Sequence, residues 1–288
     1  DYLAEISSVG SLGRKQSKRR NYNQKRIDAA VPYFPYPNLG PILTSEKNSN
    51  SSYNALQARL ERQFKNGLSI LANYTYSKSI DLDSAGAGSD ENQDATNIAA
   101  DRGLSDFDVR HRFSASGTYE LPFGPGKPWL NGVHGLTRTL IAGWQTSAIA
   151  SMQTGFPLNI TASDTSGAGS FTVLRANRLG DGNLPSDQRT ILRWFDTAAF
   201  AAPKPGTFGT SGRNVIIGPG INSWNLSAMK NTSIKERFNL QFRAEFFNAF
   251  NHTQFFAPGS NVSAPLQFGR ITSARAPRNI QLALKLYF

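Results

Sequence analysis

Alternation of apolar and polar residues is the dominant pattern of the chain. From Val109 to Leu121 the odd positions are mostly apolar or small, while the even positions carry Arg, Ser, Thr and Glu. The segments that begin at Phe238 and Ile280 alternate in the same way, with Arg243 and Glu245 on one side of the first. A helix would turn these two side chains about 200° apart, whereas a strand keeps them on one face. The pattern therefore predicts β-strands.

The strand lengths favour a membrane barrel over a soluble sandwich. The best strands run to about 11–13 residues, close to the length that crosses a bilayer at a tilt and above the usual five or six. Their polar sides carry Arg, Glu, Gln and Asn, as a wet lumen would, and aromatic residues lie toward the strand ends, as in interfacial girdles. We predict an all-β, antiparallel outer-membrane barrel sheet with strands near residues 1–9, 53–64, 68–79, 108–121, 139–152, 222–234, 238–249 and 277–288.

The connections between these strands alternate in length. Residues 10–52, 80–107, 153–221 and 250–276 are long, residues 65–67 and 235–237 are tight, and 122–138 is intermediate. Outer-membrane barrels keep short turns in the periplasm and long loops outside, so we expect the long connections to be extracellular.

Two cations fall on the apolar side of the alternation. Arg62 lies close enough to a turn to extend its charge to the interface, and Lys230 suggests a bulge or a shift of frame.

Composition agrees with an exported protein and excludes several other classes. The chain has 288 residues, a mean hydropathy of −0.39 and no apolar run of about 18 residues, so no transmembrane helix is expected. Cysteine is absent, which excludes thiol catalysis, disulfides and thiolate metal sites. The net charge is +11, but residues 80–107 hold seven carboxylates against Arg102 and sum to −6, which leaves +17 elsewhere. No nucleic-acid-binding motif accompanies this charge, so nucleic acid is not an expected partner.

The chain resembles the C-terminal barrel of TonB-dependent receptors of the Oar-like type, whose members carry a carboxypeptidase-regulatory-like domain. The similarity follows a series of short motifs along nearly the whole chain. The most distinctive are Ser52-Tyr53-Asn54-Ala55-Leu56-Gln57, Tyr74-Thr75-Tyr76-Ser77-Lys78-Ser79, Ser105-Asp106-Phe107-Asp108-Val109-Arg110-His111-Arg112-Phe113, Tyr119-Glu120-Leu121-Pro122-Phe123-Gly124 and Arg243-Ala244-Glu245-Phe246-Phe247-Asn248-Ala249-Phe250-Asn251-His252.

The resemblance implies a location, partners and a function. Residues 1–288 would be the C-terminal part of a larger barrel in the outer membrane, without the plug and N-terminal domains. They would contact outer-membrane lipid and lipopolysaccharide, the barrel assembly machinery, an unknown substrate, and the TonB complex through the missing N-terminal part. The implied function is active uptake or export of that substrate through barrel wall and loops. The alternative is a structural or adhesion barrel whose loops bind other surfaces and transport nothing.

Patterns that could indicate catalysis or metal binding are weak. Ser227 and Lys230 fit an S-x-x-K motif, but an offset of three places them on opposite faces of a strand. His111, His134 and His252 lack metal-ligand spacing. We therefore predict no enzyme activity, no catalytic residues and no cofactor. A loose Ca²⁺ site in the acidic segment is the only metal candidate, with a solvated acidic loop as the simpler interpretation; its residues would be Asp81, Asp83, Asp90, Glu91 and Asp94.

Two further groups of residues are candidates for function. The first is a charged cluster that we expect to face the lumen, formed by Asp108, Arg110, Arg112, Arg243 and Glu245, with Asp106 beside it. The second is the end of the chain, where Leu284, Leu286 and Phe288 resemble the signal that the outer-membrane assembly machinery recognises. An edge strand of this kind can template pairing with the edge of another sheet. We also expect an open sheet, because eight strands are predicted to be part of a larger barrel.

Overall fold

The computed structural model of the protein describes residues 2–84, 92–168, 174–234 and 238–288. Its main element is one antiparallel sheet in which each of eight long strands pairs with the next along the chain. The strands are β1 (Tyr2–Asn21), β2 (Leu43–Lys65), β3 (Leu68–Asp81), β4 (His111–Glu120), β5 (Trp144–Gln153), β6 (Ile221–Ile234), β7 (Phe238–Phe247) and β8 (Asn279–Tyr287).

The sheet is open. Within the described ranges β1 and β8 form its two edges, and each pairs with one long strand only. The two-residue strand Gly103–Leu104 adds to the end of β3. The all-β class, the antiparallel pairing and the open sheet confirm the expectations from the sequence.

The register sorts side chains onto two faces, because residues paired across antiparallel strands point the same way. Arg112 lies opposite both Thr75 and Gln153, and these positions belong to the polar face. Phe246 lies opposite Leu226 and Ile280 on the other side, which we call the apolar face. The predicted alternation is thus preserved across the sheet.

The two ends of the sheet differ as predicted. The long connections 22–42, 82–110, 154–220 and 248–278 all leave from one end, which we call the loop end. At the opposite, turn end, Asn66 and Gly67 have φ of 54° and 80° and join Lys65 to Leu68 in a two-residue hairpin turn. The predicted turn at residues 235–237 lies outside the described residues.

The first two strands are longer than the sequence indicated. Pairing continues from Gly13 and Ser51 to Asn21 and Leu43, with bulges on either side of Gln16. These outer segments are rich in Ser, Lys, Arg and Asn, so no apolar alternation marks them. The prediction of a loop over residues 10–52 was therefore wrong for both of its ends.

The fifth predicted strand also needed correction. Residues Gly135–Ile141 form the helix α1, and β5 begins only at Trp144. Gly143 has a φ of +78°, and a Cβ there would lie 2.2 Å from the carbonyl oxygen of Asn231. Only glycine fits this junction, which ends the helix and starts the strand. None of the described helices is long and apolar enough to cross a membrane.

The two cations that the alternation placed on the apolar face, Arg62 and Lys230, lie near the turn end. The Arg62 guanidinium lies 5.4 Å from the ring centroid of Tyr2 and donates to the Lys65 carbonyl. Lys230 lies 5.4 Å from the Trp144 ring centroid and donates to the Ala142 carbonyl at 2.5 Å. Pairing of β6 is regular on both sides of Lys230, so the expected bulge is absent there. Both residues instead extend their charges toward the end of the sheet.

The long connections contain short elements of their own. The two-residue strands form three pairs, and single turns of 3₁₀-helix lie between them. The pairs are Pro157–Leu158 with Ile216–Ile217, Thr161–Ala162 with Leu174–Arg175, and Asn177–Arg178 with Phe200–Ala201; the 3₁₀ turns are Ile98–Asp101, Ser186–Gln188 and Thr197–Ala199.

Candidate functional site

The connections at the loop end fold into a body that we call the loop cap, formed by residues 92–110, 154–168, 174–220 and 248–278. It has its own buried core around Phe195, whose ring meets those of Phe200 and Phe268 edge-on at 6.0 and 5.1 Å between centroids. Ile160 and Ile216 complete the cluster and are almost fully buried. Sequence analysis treated these segments as loops, because isolated apolar residues in long irregular stretches show no period.

A buried ion triad ties the cap to the first strand of the sheet. The carboxylate of Asp101 accepts hydrogen bonds from Lys18 Nζ at 3.2 Å and Arg175 Nη1 at 2.6 Å. All three side chains are at least 94% buried. Lys18 also donates to the Leu82 carbonyl and Arg175 Nε to the Ser211 carbonyl, so both cations have further partners. The bulge before Lys18 offers a physical reason for its inward direction.

A second buried ion pair joins the cap to the end of β3. Arg213 forms an ion pair with Asp81, and both side chains are almost fully buried. Its guanidinium also donates to the Asp81 carbonyl and lies 3.9 Å from Asp106. Burial lowers the pKa of Arg213 to about 10, which still leaves it charged at neutral pH.

Two acids of the acidic segment are internal partners for cations. Asp81 and Asp101 are buried and paired, so the expectation of a solvated acidic loop was wrong for them. Asp94 accepts hydrogen bonds from the backbone and hydroxyl of Thr96, and Asp83 has contacts of its own. In the described part of the chain no three His, Asp or Glu side chains are grouped as a metal site requires. Asp90 and Glu91 lie outside the described residues.

A polar pocket of about 230 Å³ lies where the polar face of the sheet meets the loop cap. Strands β2, β3 and β4 form its wall, and residues 107–109 close it on the cap side. Its lining side chains are those of Tyr53, Gln57, Thr75, Ser77, Ser79, Phe107, Asp108, Val109 and Arg112.

The floor of this pocket is held by hydrogen bonds. Asp108 is buried and accepts from the Ser79 backbone N–H at 2.6 Å. The Ser77 hydroxyl donates to the Val109 carbonyl, and the Ser79 hydroxyl bonds that of Ser105 at 2.7 Å. These contacts fix the path of the chain into β4 and hold the Asp108 carboxylate in place.

The structure divides the predicted charged cluster between distant strands. Asp108, Arg110 and Arg112 lie at the start of β4, whereas Arg243 and Glu245 pair at 2.9 Å on β7, three strands away. Arg110 lies 3.9 Å from Asp108 and 5.9 Å from the ring centroid of Tyr76, a residue of the apolar face. The Arg112 side chain lines the pocket and makes no hydrogen bond or ion pair with another described residue.

The S-x-x-K pair, His111 and the residues at the end of the chain lie at separate places in the sheet. Ser227 and Lys230 project to opposite faces of β6, so they cannot act together. The Tyr74 hydroxyl lies 2.7 Å from Nδ1 of His111 on the apolar face near the loop end, a position that suits a membrane interface. Leu284 and Leu286 lie opposite Phe242 and Leu240 on the edge strand β8, and Phe288 after it is 95% exposed.

No sequence pattern indicated the residues that build the cap interface. Lys18, Arg175 and Arg213 are basic residues in polar surroundings, and nothing in the local pattern separates them from solvated cations. A signal did exist in the segment sum of −6 within a chain of net charge +11. That imbalance predicts attraction between segments without indicating which residues pair.

Comparison with known proteins agrees with this architecture. A family model described as an outer membrane beta barrel domain matches residues 1–281. No curated protein matches the chain.

Proposed function

The chain belongs to the outer membrane beta barrel domain family, and we propose that it forms part of the wall and the loop cap of a TonB-dependent receptor. Such a receptor moves a substrate across the outer membrane. Family membership locates the protein in the outer membrane, so the apolar face contacts lipid and the polar face lines the barrel interior. Coupling to TonB is the part that the proposal adds.

The pocket at the base of the loop cap carries this proposal. It opens on the polar face, and its strand residues Gln57, Thr75 and Arg112 belong to the barrel interior. A transporter needs contacts inside the barrel along the path of its substrate. An adhesion barrel needs contacts only on the outer surface of its loops.

The resemblance to Oar-like receptors supports the coupling and the wider domain plan. In such a receptor the present strands would be the C-terminal part of the barrel, with a plug earlier in the chain. Free strand edges support this arrangement, since unpaired backbone groups are costly in lipid. Further strands of the same barrel would pair with β1 and β8.

An adhesion barrel is the second candidate, and one observation favours it. The connection between β1 and β2 exposes Tyr33, Phe34 and Tyr36, whose exposed fractions are 54%, 42% and 50%. Exposed aromatic residues at the tip of a hairpin can bind another surface. None of these three residues lines the pocket, so the two candidates use different residues.

The proposal is tested by TonB binding to the full-length protein. Purified protein in detergent is mixed with the periplasmic domain of TonB from the same cell, and co-elution is measured. Specific binding that is lost when the segment before the plug is deleted is the expected result. A full-length chain with no plug, or one that never retains TonB, would contradict the coupling and leave the adhesion barrel.

A further inference from the structure

We propose that the polar pocket binds a small hydroxylated carboxylate, such as a sugar acid, through the guanidinium of Arg112. This inference rests on the proposed function, in which the polar face lines a substrate path. It adds the chemical class of the ligand and the residue that selects it.

The register supplies a row of polar side chains at the height of the pocket. Gln57, Thr75 and Arg112 lie directly opposite one another on β2, β3 and β4, and Gln153 of β5 continues the row. Strands in a sheet are about 4.8 Å apart, so these groups present donors and acceptors at the spacing of substituents on a small ring. No hydrogen bond in the described structure occupies the side chains of Gln57, Thr75 or Gln153.

Arg112 differs from Arg59 and Arg243, two other arginines on the polar face of the sheet. Arg59 is paired with Glu61 at 2.5 Å, and Arg243 with Glu245 at 2.9 Å. Arg112 has no carboxylate partner among the described residues, although it lines a pocket. Its planar fork of donors is therefore free to bind a carboxylate through two parallel hydrogen bonds.

Asp108, the acid that lines the pocket, already has partners within the protein. One oxygen of Asp108 accepts the Ser79 N–H at 2.6 Å, and the other lies 3.9 Å from Arg110. Asp108 is thus compensated by its own neighbours. The charge left for a ligand in this pocket is the positive charge of Arg112.

The remaining groups indicate a small, hydroxylated ligand. Tyr53 and Phe107 contribute rings at the pocket, while Gln57 and Thr75 can exchange hydrogen bonds with hydroxyls. The volume of about 230 Å³ lies below the range of about 300–1,000 Å³ usual for ligand pockets. It suits one sugar-sized unit, alone or as part of a longer chain.

The test is a calorimetric titration of the full-length protein in detergent with D-glucuronate, D-glucose and glucose 6-phosphate. We expect glucuronate to bind and glucose to bind at least about tenfold more weakly, since a charge-assisted hydrogen-bond pair is lost. Arg112→Gln should weaken glucuronate binding by a similar factor. Arg243→Gln is the matched control, because this arginine lies on the same face but is neutralised by Glu245; its affinity should equal that of the wild type.

Several results would overturn the assignment. Equal binding of glucose and glucuronate would remove the role of the charge, and tighter binding of glucose 6-phosphate would replace the carboxylate by a phosphate. Absence of binding at millimolar glucuronate, or an equal loss in Arg243→Gln, would also refute it. The titration needs no TonB, so glucuronate binding without TonB binding would refute only the coupling, and TonB binding without glucuronate binding would refute only this site.

Discussion

At the scale of single residues, the structure uses charge in two different ways. Asp101 is buried with Lys18 and Arg175, and the three side chains hold the sheet and the cap together. Arg112 instead faces a pocket with no partner among the described residues. Ion pairs of the first kind are costly to break, because removing one partner leaves charge buried without compensation.

Replacing Asp101 by asparagine tests the buried triad. Asp101→Asn keeps the shape but leaves two buried cations without a carboxylate, so we expect a loss of about 3–5 kcal/mol in the stability of the cap. Limited proteolysis of the full-length protein in outer membranes should show cleavage in the cap while the strands stay protected.

Asp181→Asn is the matched control. Its carboxylate pairs with Arg178 but its side chain is 73% exposed, so its loss should change stability by no more than about 1 kcal/mol. Equal protease sensitivity of the two variants would show that the triad does not hold the cap.

Local backbone geometry makes a second residue-scale prediction at Gly143. Gly143→Ala should destabilise the junction of α1 and β5, because φ is +78° and the new Cβ would meet the Asn231 carbonyl. Heat resistance of the folded protein on gels should fall. Gly132→Ala, where an added Cβ would meet no atom within 4 Å, should leave it unchanged.

At the scale of elements, strands inside the membrane were predictable and those outside it were not. β4 and β7 keep mostly apolar residues on one face and mostly polar residues on the other, because one face contacts lipid and the other contacts water. The outer parts of β1 and β2 consist mainly of polar residues, some of which, such as Lys18, are buried against the cap, so no alternation of apolar and polar residues marks these strands. The helix α1 was not predicted because seven residues are too few to show a helical period. A single glycine in the sequence does not indicate that Gly143 adopts a left-handed conformation.

The last strand carries a prediction about assembly. If Leu284, Leu286 and Phe288 are read by the assembly machinery, deleting Phe288 from the full-length protein should strongly lower its outer-membrane level and expose precursor to periplasmic proteases. The protein that does insert should keep near-normal heat resistance, since one aromatic side chain contributes only about 2 kcal/mol.

Leu282→Ala on the same strand is the control, because it removes apolar surface and keeps Phe288. A normal surface level after deletion of Phe288 would rule out the signal. The aromatic residue would then serve only in the interfacial girdle.

At the scale of the whole molecule, alternating loop lengths predicted which end of the sheet carries the long connections. The same pattern could not predict that these connections fold into a cap with its own core. The buried ionic contacts of that cap join residues 74 to 132 positions apart in sequence, as for Arg175 with Asp101 and Arg213 with Asp81. Pairings at such separations leave no local signal in the sequence. The pocket beneath the cap could not be predicted for the same reason.

Orientation in the membrane gives a further prediction. An epitope inserted after Gly206, where an added side chain would meet no atom within 4 Å, should be detected by antibody on intact cells. An epitope in the turn at Gly67 should react only after the outer membrane is permeabilised. The opposite pattern would reverse the topology.

If this sheet is a barrel wall, one of its faces contacts lipid and the other a water-filled interior. The present chain has no cysteine, so after replacement of any cysteine elsewhere in the full-length protein, single cysteines can be placed along β7 and labelled in outer membranes with a charged maleimide. We predict that cysteines replacing Asn239, Gln241, Arg243 and Glu245 react quickly, while those replacing Leu240, Phe242, Ala244 and Phe246 react slowly. Equal reactivity at all eight positions, or fast reaction on the Leu240 side, would contradict the account.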